Sequence, residues 1–324
     1  MRAVVCRAWG GPEKLSVEEI PRPELREGTV RIAVRAAGLN FADLLLIAGQ
    51  YQEKPAFPFI PGAEAAGVIT EVGEYVTGRK PGDRVMALTG LGAYAGEVVV
   101  DAAKLLPIPE HMTFEQAAGF PVAYGTSHGA LEWRARLQAG EWLLVTGASG
   151  GVGLTAVEVG KAMGARVIAC AGNADKLEIA KLHGAEHGID YSKEDLRERV
   201  KEITEGKGVN VAYDPVGGDI FDAALRSVAW GGRIIVIGFA SGRVPQIPAN
   251  IALVKNIDVI GFYWGSYQKH RPELLHSSFA KLFRWFDEGK LKPHVSHVFK
   301  LEQIGKSLEM LKDRKATGKV VVTP

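Results

Sequence analysis

Nine residues between Val145 and Gly153 constrain the fold of this chain more than any other segment. The run Val-Thr-Gly-Ala-Ser-Gly-Gly-Val-Gly follows an apolar stretch of strand character and opens a stretch of helical character. It matches the turn that binds the pyrophosphate of a dinucleotide, with Ala148, Gly150 and Gly153 in its first, second and third small-residue positions. In this turn the second small residue lets backbone amides approach the phosphates, and the third lets helix and strand pack closely. We therefore predict cofactor contacts from Ala148, Gly150, Gly151, Val152 and Gly153.

The surroundings of this turn favour a ligand site over a merely structural glycine turn. Strand-like runs alternate with helical ones, and the strand-like runs cover residues 142–145, 166–171, 188–190, 209–213, 233–237 and 257–262. Six strands joined by crossover helices specify an open parallel sheet. No Lys-Ser or Lys-Thr pair follows the glycines, so the turn is not that of a P-loop nucleotidase. The sequence predicts an α/β fold with a doubly wound parallel sheet.

The two ends of the chain follow a different pattern. Up to about residue 110, short apolar runs such as 30–34, 65–72 and 84–88 are separated by turn residues, which is typical of an antiparallel β domain. The closing run after Gly318 has strand character but does not continue the alternation of strands and helices. We expect it to return to the first domain, with the nucleotide domain as an insertion. The predicted boundaries are 1–122, 123–265 and 266–324.

Composition narrows the function by exclusion. Lys and Arg number 39 against 37 Asp and Glu, a net charge of +2, so no charge excess points to nucleic acid or to an anionic membrane. Two cysteines, Cys6 and Cys170, are too few for a disulfide framework or a four-cysteine zinc site. No apolar run is long enough for a transmembrane helix, and the N-terminus does not read as a signal peptide. We expect a cytoplasmic protein.

The end of the second strand of the nucleotide domain bears on cofactor choice. Sites specific for NAD place an acidic residue there to bind the ribose hydroxyls. This chain has Ala171 at that place, which leaves room for a 2′-phosphate, and Lys176 follows close behind. Asp175 could face the ribose, but as a residue of the first helical turn it fits a capping role better. The pattern favours NADPH.

Histidine spacing gives no support for a metal site. His183 and His187 are four residues apart, and His294 and His297 are three apart. Either pair resembles a pair of ligands, but each lacks a third ligand nearby. We interpret these histidines as structural or surface residues and predict no metal.

Several segments resemble the medium-chain dehydrogenase/reductase superfamily, and within it the zinc-free quinone oxidoreductase, or zeta-crystallin-like, branch. Besides the glycine turn they are Gly38-Leu-Asn40-Phe-Ala-Asp43, Pro61-Gly62-Ala-Glu64-Ala-Ala-Gly67, Gly125-Thr126, Tyr213-Asp214-Pro-Val-Gly217-Gly and Pro245-Gln-Ile-Pro-Ala-Asn250. The resemblance covers nearly the whole chain and implies a Rossmann-type domain inserted into a GroES-like antiparallel β domain. Zinc-dependent relatives have Cys and His where this chain has Asn40 and Ala63, and a four-cysteine lobe that it lacks.

The resemblance also implies roles for individual residues. Asn40 and Tyr51 match polar groups on the substrate side of the nicotinamide cleft, and Thr126 matches a residue beside the nicotinamide. Lys176, Tyr191 and Arg314 resemble the residues that bind the adenosine 2′-phosphate, and Gly238 and Phe239 match further cofactor contacts. Asn40 can also be read as a turn residue, Tyr51 as a packing side chain, and Asp43 as a residue that holds its loop. Leu45 stands where many quinone reductases of the branch have a second Tyr.

Without zinc to polarise an oxygen, hydride transfer is easiest to an acceptor that spreads the incoming charge, such as a quinone or an enone. The resemblance therefore implies an NADPH-dependent quinone or enone reductase, with a homodimer as the expected assembly. An enoyl thioester reductase is the nearest alternative, since the surroundings of Tyr51 resemble those enzymes. A non-catalytic NADPH-binding protein, crystallin-like or RNA-binding, is an alternative of another class. The aromatic run Phe262-Tyr263-Trp264 fits either a pocket wall or a dimer contact.

Overall fold

A computed structural model describes all residues from 1 to 324, and the chain divides into two compact units. Unit 1 comprises Met1–Val122 and Pro293–Pro324, and unit 2 comprises Ala123–Lys292. The expected start of the return at residue 266 is wrong, because residues 266–292 belong to unit 2. The long helix in this stretch is built into that unit: the Ser278 hydroxyl lies 2.8 Å from Nδ1 of His128, and the ring of Phe279 packs edge-on against Trp264.

Strands and helices are numbered here in chain order. The strands are β1 (Arg2–Cys6), β2 (Leu15–Glu19), β3 (Thr29–Gly38), β4 (Glu64–Val72), β5 (Arg84–Leu88), β6 (Glu97–Asp101), β7 (Leu105–Pro107), β8 (Trp142–Thr146), β9 (Arg166–Ala171), β10 (His187–Asp190), β11 (Val209–Asp214), β12 (Val228–Val236), β13 (Asp258–Gly261), β14 (Val295–Lys300) and β15 (Lys319–Thr323). The helices are α1 (Phe41–Ile47), α2 (Phe114–Ala118), α3 (Phe120–His128), α4 (Gly151–Ala162), α5 (Ala174–Leu182), α6 (Leu196–Ile203), α7 (Gly218–Ser227), α8 (Ala249–Lys255), α9 (Tyr267–His270), α10 (Pro272–Asp287) and α11 (Ile304–Lys312). A π-helical turn, Gly129–Arg134, follows α3. No helix combines the length and apolar character needed to cross a bilayer.

Unit 1 is a β domain whose main sheet includes the last strand of the chain. Its main sheet has the order β14-β15-β3-β4-β5-β7, with β6 also paired to β3, while β1 and β2 form a separate hairpin. All of these pairs are antiparallel except β14 with β15. The last strand of the chain therefore returns to the first domain as predicted, with Val321 opposite Gly38.

Unit 2 is the predicted parallel sheet. Its six strands run in the order β10-β9-β8-β11-β12-β13, and every neighbouring pair is parallel. The chain moves outward from β8 to β10 on one side and then from β11 to β13 on the other. The order of strands thus reverses between β8 and β11, and such a switch point is where open α/β sheets bind ligands at the carboxyl ends of their strands.

Candidate active site

The turn between β8 and α4 has the backbone geometry of a phosphate-binding turn. Gly147 has a φ of +57°, a left-handed conformation that side chains disfavour. A Cβ on Gly153 would lie 2.1 Å from the carbonyl oxygen of Gly147, so only glycine allows this approach of helix and strand. A Cβ on Gly150 would meet only that same oxygen, at 3.4 Å, and this residue is the N-cap of α4. The close-packing role predicted for Gly153 is therefore confirmed.

The first position of the turn differs from the sequence interpretation. The residue that makes the left-handed bend is Gly147, one residue before Ala148. Ala148 is buried, and its N–H donates to the carbonyl of Cys170 at 3.1 Å. That amide is therefore used to join the turn to β9 and is not available to an anion.

The start of α4 supplies free backbone donors at the switch point. The first N–H groups of a helix, here those of Gly151, Val152 and Gly153, have no acceptor within the helix. Together with the helix dipole they form an anion site suited to a pyrophosphate. α3 lies against this turn, since the Ser127 hydroxyl donates to the carbonyl of Val152 at 3.0 Å. Thr126, buried on the same helix, is thereby held near the turn.

A buried carboxylate that sequence reasoning did not single out fixes the switch point. Asp214 ends β11 and accepts hydrogen bonds from the Thr146 hydroxyl at the end of β8 and from the Gly217 N–H at 2.8 Å. Burial raises the pKa of Asp214. Its sequence motif marked the segment, but no periodicity or spacing showed that one carboxylate joins two strands. Phe239 packs on this turn, and Gly238 lies against Pro215, with a Cβ on Gly238 placed 3.3 Å from the Pro215 carbonyl oxygen.

Two of the residues expected at a 2′-phosphate follow the carboxyl ends of β9 and β10. Tyr191 follows β10, and a Cβ on Gly172 would lie 2.8 Å from its hydroxyl, so this hydroxyl covers the backbone just after Ala171. Lys176 lies in the first turn of α5. That helix is capped by Asn173, whose side chain accepts from the Lys176 N–H at 2.9 Å, and not by Asp175 as expected.

Arg314 is placed in unit 1, two residues after the end of α11 and with a φ of +56°. Its side chain is exposed. It belongs to a different unit from Lys176 and Tyr191, so its predicted role at a 2′-phosphate remains a prediction.

The aromatic run that follows β13 explains why residue 125 is a glycine. A Cβ on Gly125 would lie 2.5 Å from Trp264, so the indole occupies the space beside α3. Trp264 and Phe262 are buried within unit 2, while Tyr263 is 41 % exposed. Two of the three aromatic residues are therefore core residues of this unit.

In unit 1, Asn40 is hydrogen-bonded to both members of the buried ion pair between Glu64 and Lys319. It is the N-cap of α1, and its Nδ2 donates to Oε1 of Glu64 at 2.9 Å. The Lys319 ammonium donates to Oδ1 of Asn40 at 2.7 Å and to Oε1 of Glu64 at 2.8 Å. Glu64, which is fully buried, and Lys319 thereby fix the orientation of the Asn40 amide. One Nδ2 hydrogen is left without a partner in the protein.

Beside Asn40, Asp43 lines a pocket of about 340 Å³. Its Oδ2 accepts from the Tyr94 hydroxyl at 2.6 Å and from the Asn40 N–H at 2.7 Å. Burial raises the pKa of Asp43 to about 6, against the opposing effect of these hydrogen bonds and of the Lys319 charge. Tyr51 lines the same pocket and packs on the core of unit 1, so both interpretations of this residue are compatible with its position.

Comparison with known proteins identifies the family to which this architecture belongs. Residues 26–110 match the family "Alcohol dehydrogenase GroES-like domain", and residues 151–283 match "Zinc-binding dehydrogenase". The chain is 44 % identical to quinone oxidoreductase-like protein 2 homolog of Nematostella vectensis, over 99 % of its own length and 88 % of the relative. The chain belongs to the quinone oxidoreductase branch of the medium-chain dehydrogenase/reductase superfamily.

Solved structures of this branch share the whole fold. The quinone oxidoreductase of Escherichia coli complexed with NADPH has a TM-score of 0.93 at 32 % identity, with full coverage of both chains. The quinone oxidoreductase of Pseudomonas syringae has a TM-score of 0.93 at 35 % identity, covering 100 % of this chain and 99 % of that one. The combination of a GroES-like and a Rossmann-type domain expected from the sequence is therefore confirmed.

The histidines singled out in the sequence have structural partners. Nδ1 of His183 lies 2.6 Å from Oε1 of Glu158, and Nε2 of His294 lies 3.1 Å from the Thr317 hydroxyl. His187 packs on Trp142. No three His, Cys, Asp or Glu residues are grouped as a metal site would require. The absence of a metal from the reaction stays a prediction.

Proposed function

We propose that this protein is an NADPH-dependent oxidoreductase that transfers a hydride to a quinone or a conjugated enone without a metal. The observation that carries the proposal is the phosphate-binding turn at the β8–β11 switch point, with Ala171 at the end of β9, Tyr191 just after β10 and Lys176 in the first turn of α5. An acidic residue at the position of Ala171 would repel a 2′-phosphate. A lysine ammonium and a phenol nearby would instead bind it.

The residues of unit 2 fit this cofactor. The free amides at the start of α4 would bind the pyrophosphate, and Lys176 and Tyr191 would bind the 2′-phosphate. Thr126, Gly238 and Phe239 would contact the nicotinamide half, and Arg314 of unit 1 would add a further charge at the 2′-phosphate. When bound, NADPH supplies the hydride; the protein supplies orientation and exclusion of water.

The polar groups of unit 1 suit an acceptor that carries a carbonyl. The donor set at Asn40 and Ala63 is an amide and a methyl group, which is not a pair of zinc ligands. The uncommitted Nδ2 hydrogen of Asn40, held in place by Glu64 and Lys319, can instead donate to a developing oxyanion. A delocalised charge needs less stabilisation than a localised alkoxide, so one neutral donor is enough for it. This favours quinones and enones over simple alcohols and ketones.

We further propose a homodimer that acts in the cytoplasm on a small molecule, with no nucleic-acid or membrane partner. The strand β13 pairs only with β12 and leaves one sheet edge of unit 2 open. Unit 2 also exposes several large apolar side chains, and exposed apolar surface favours association. These side chains are Trp230, Val244, Ile247, Leu253 and Val254.

NADPH oxidation tests the proposal. The acceptors are 1,4-benzoquinone, 1,2-naphthoquinone, a 2-alkenal and crotonyl-CoA, with NADH in parallel. We expect turnover of a quinone or the alkenal with NADPH preferred. Faster reduction of crotonyl-CoA would assign the protein to the enoyl thioester reductases. Tight NADPH binding with no turnover of any acceptor would overturn the reductase assignment in favour of a non-catalytic role.

A further inference from the structure

The pocket of unit 1 holds one carboxyl group in an unusual setting. Asp43 is only 3 % exposed, yet it lines the pocket. Both of its hydrogen bonds, from Tyr94 and from the Asn40 N–H, go to Oδ2. Oδ1 makes no hydrogen bond within the protein, so it is the oxygen left to meet a molecule in the pocket.

Reduction of the proposed acceptors requires a proton as well as a hydride. Addition of a hydride to an enone or a quinone leaves a negative charge on oxygen, and a proton on that oxygen completes the two-electron reduction. The donor must sit in the pocket, with water excluded, and must be able to regain its proton afterwards. The pocket volume falls within the range of about 300–1,000 Å³ that is typical of small-molecule sites.

We propose that Asp43 is the general acid that protonates the oxyanion of the acceptor through Oδ1. This inference rests on the proposed reductase function and adds a residue to it. The O–H bond of the Asp43 carboxyl breaks as the acceptor oxygen takes the proton, and the resulting carboxylate regains a proton from solvent. Its charge is meanwhile stabilised by the Tyr94 hydroxyl and the Asn40 N–H.

The surroundings of Asp43 suit this cycle. The groups that face it are Tyr94, Glu64 of β4 and Lys319 of β15, and Tyr51, Glu53 and Lys54 line the same pocket. Burial and the negative charge of Glu64 favour the protonated form, while the two hydrogen-bond donors and the charge of Lys319 favour the carboxylate. With a pKa of about 6, Asp43 is protonated in a fraction of the molecules near neutral pH, and it can transfer this proton to the acceptor oxygen.

The variant Asp43→Asn separates the catalytic role from the structural one. The amide oxygen can still accept from Tyr94 and from the Asn40 N–H, so the cap of α1 is retained, but the side chain cannot deliver a proton. We expect kcat near pH 6 to fall by about 100-fold or more. In the natural protein kcat should fall as pH rises through Asp43's pKa of about 6, and this dependence should be absent in the variant.

Two further variants make the assignment specific. Tyr94→Phe removes a donor that lowers the pKa of Asp43, so the fall in kcat should move to higher pH. Asp101→Asn is the matched control, because Asp101 is also a capping carboxylate of unit 1 but lies on the surface and accepts from the Ala103 N–H. It should leave the pH profile unchanged. An Asp43→Asn protein that keeps the same pH dependence, with kcat within about threefold, overturns the proposal.

A binding measurement tests the same carboxyl group without the reaction. 2-Cyclohexenone is titrated into the protein in the absence of NADPH and followed by NMR. Because a protonated Asp43 donates to its carbonyl, Kd should rise by about threefold to tenfold between about pH 5 and about pH 8. Asp43→Asn should show a constant Kd. A constant Kd in the natural protein overturns the proposal, whereas failure to reduce any acceptor with this pH dependence intact contradicts only the proposed function.

Discussion

Asp43 shows how one side chain can serve both fold and chemistry. As the third residue of α1 it accepts the Asn40 N–H, and it also anchors the buried Tyr94 hydroxyl. Burial raises the pKa of Tyr94 well above its usual value, so the phenol keeps its proton and acts as donor. Burial also raises the pKa of the Asp43 carboxyl group, so the protonation of Asp43 is coupled to the stability of the fold.

The first prediction concerns this coupling. The pKa of Asp43 is about 6 when folded and near 3.8 when unfolded, so between these values the folded protein binds the extra proton and stability falls as pH rises. Asp43→Asn has no such titration. The natural protein should therefore lose up to about 3 kcal/mol relative to the variant between about pH 4 and pH 7. Urea unfolding across this range measures the difference, and a constant difference contradicts the pKa.

The second prediction concerns Lys176. A charged contact to the 2′-phosphate contributes roughly 1.5–3 kcal/mol, so Lys176→Ala should raise Kd for NADPH about tenfold or more and leave Kd for NADH unchanged. Lys181→Ala, on the same helix but paired with Glu178, is the control. Isothermal titration of the natural protein and the two variants with both cofactors gives the six constants. Equal weakening of both cofactors would make Lys176 a structural residue, and Arg314→Ala applies the same test to unit 1.

At the scale of elements, the alternation of apolar and turn residues predicted most of the framework. The strand over 166–171 and the strand over 84–88 have the predicted bounds. Buried parallel strands are continuous apolar runs, which makes them easy to recognise. Helix α1 was not predicted, because seven residues give too little periodicity to distinguish a helix from a loop.

The candidate site was harder to predict than the framework because its contacts join distant parts of the chain. Asn40 and Lys319 are 279 residues apart in sequence, and no local pattern shows that they share Glu64. The left-handed bend of the phosphate turn lies at Gly147, one residue before the first small-residue position assigned to Ala148, because a small-residue pattern does not determine backbone φ. Both features depend on geometry that only the folded chain defines.

The third prediction separates two glycines of the β8–α4 turn. Gly153→Ala would press a methyl group to 2.1 Å from the carbonyl oxygen of Gly147, so it should destabilise unit 2 by about 1–3 kcal/mol or more. Gly150→Ala has an extended backbone and 3.4 Å of room, so it should fold normally but bind NADPH more weakly. Thermal unfolding and NADPH titration measure the two effects. Equal stability of the two variants would contradict the close-packing role of Gly153.

At the scale of the whole molecule, unit 2 exposes large apolar side chains and an unpaired strand edge. Leu253 and Val254 on α8 are 78 % and 74 % exposed, and Trp230 is 74 % exposed. Leu253 and Val254 lie in the helix that precedes β13, and the outer edge of β13 has no partner strand in the chain. Open strand edges and exposed apolar side chains both favour association, and a second copy of the same edge would pair with the first under two-fold symmetry.

The fourth prediction follows from this surface. Light scattering during gel filtration should give about twice the 34.8 kDa of the chain. The double variant Leu253→Asp, Val254→Asp places two carboxylates on the apolar surface, and these would be desolvated and repelled in a two-fold contact, so it should elute as a monomer. Tyr75→Asp is the control, since Tyr75 is 81 % exposed but lies in unit 1. If the α8 double variant is still a dimer, the interface does not include α8. Two carboxylates buried on each side of a contact would repel each other and break that contact.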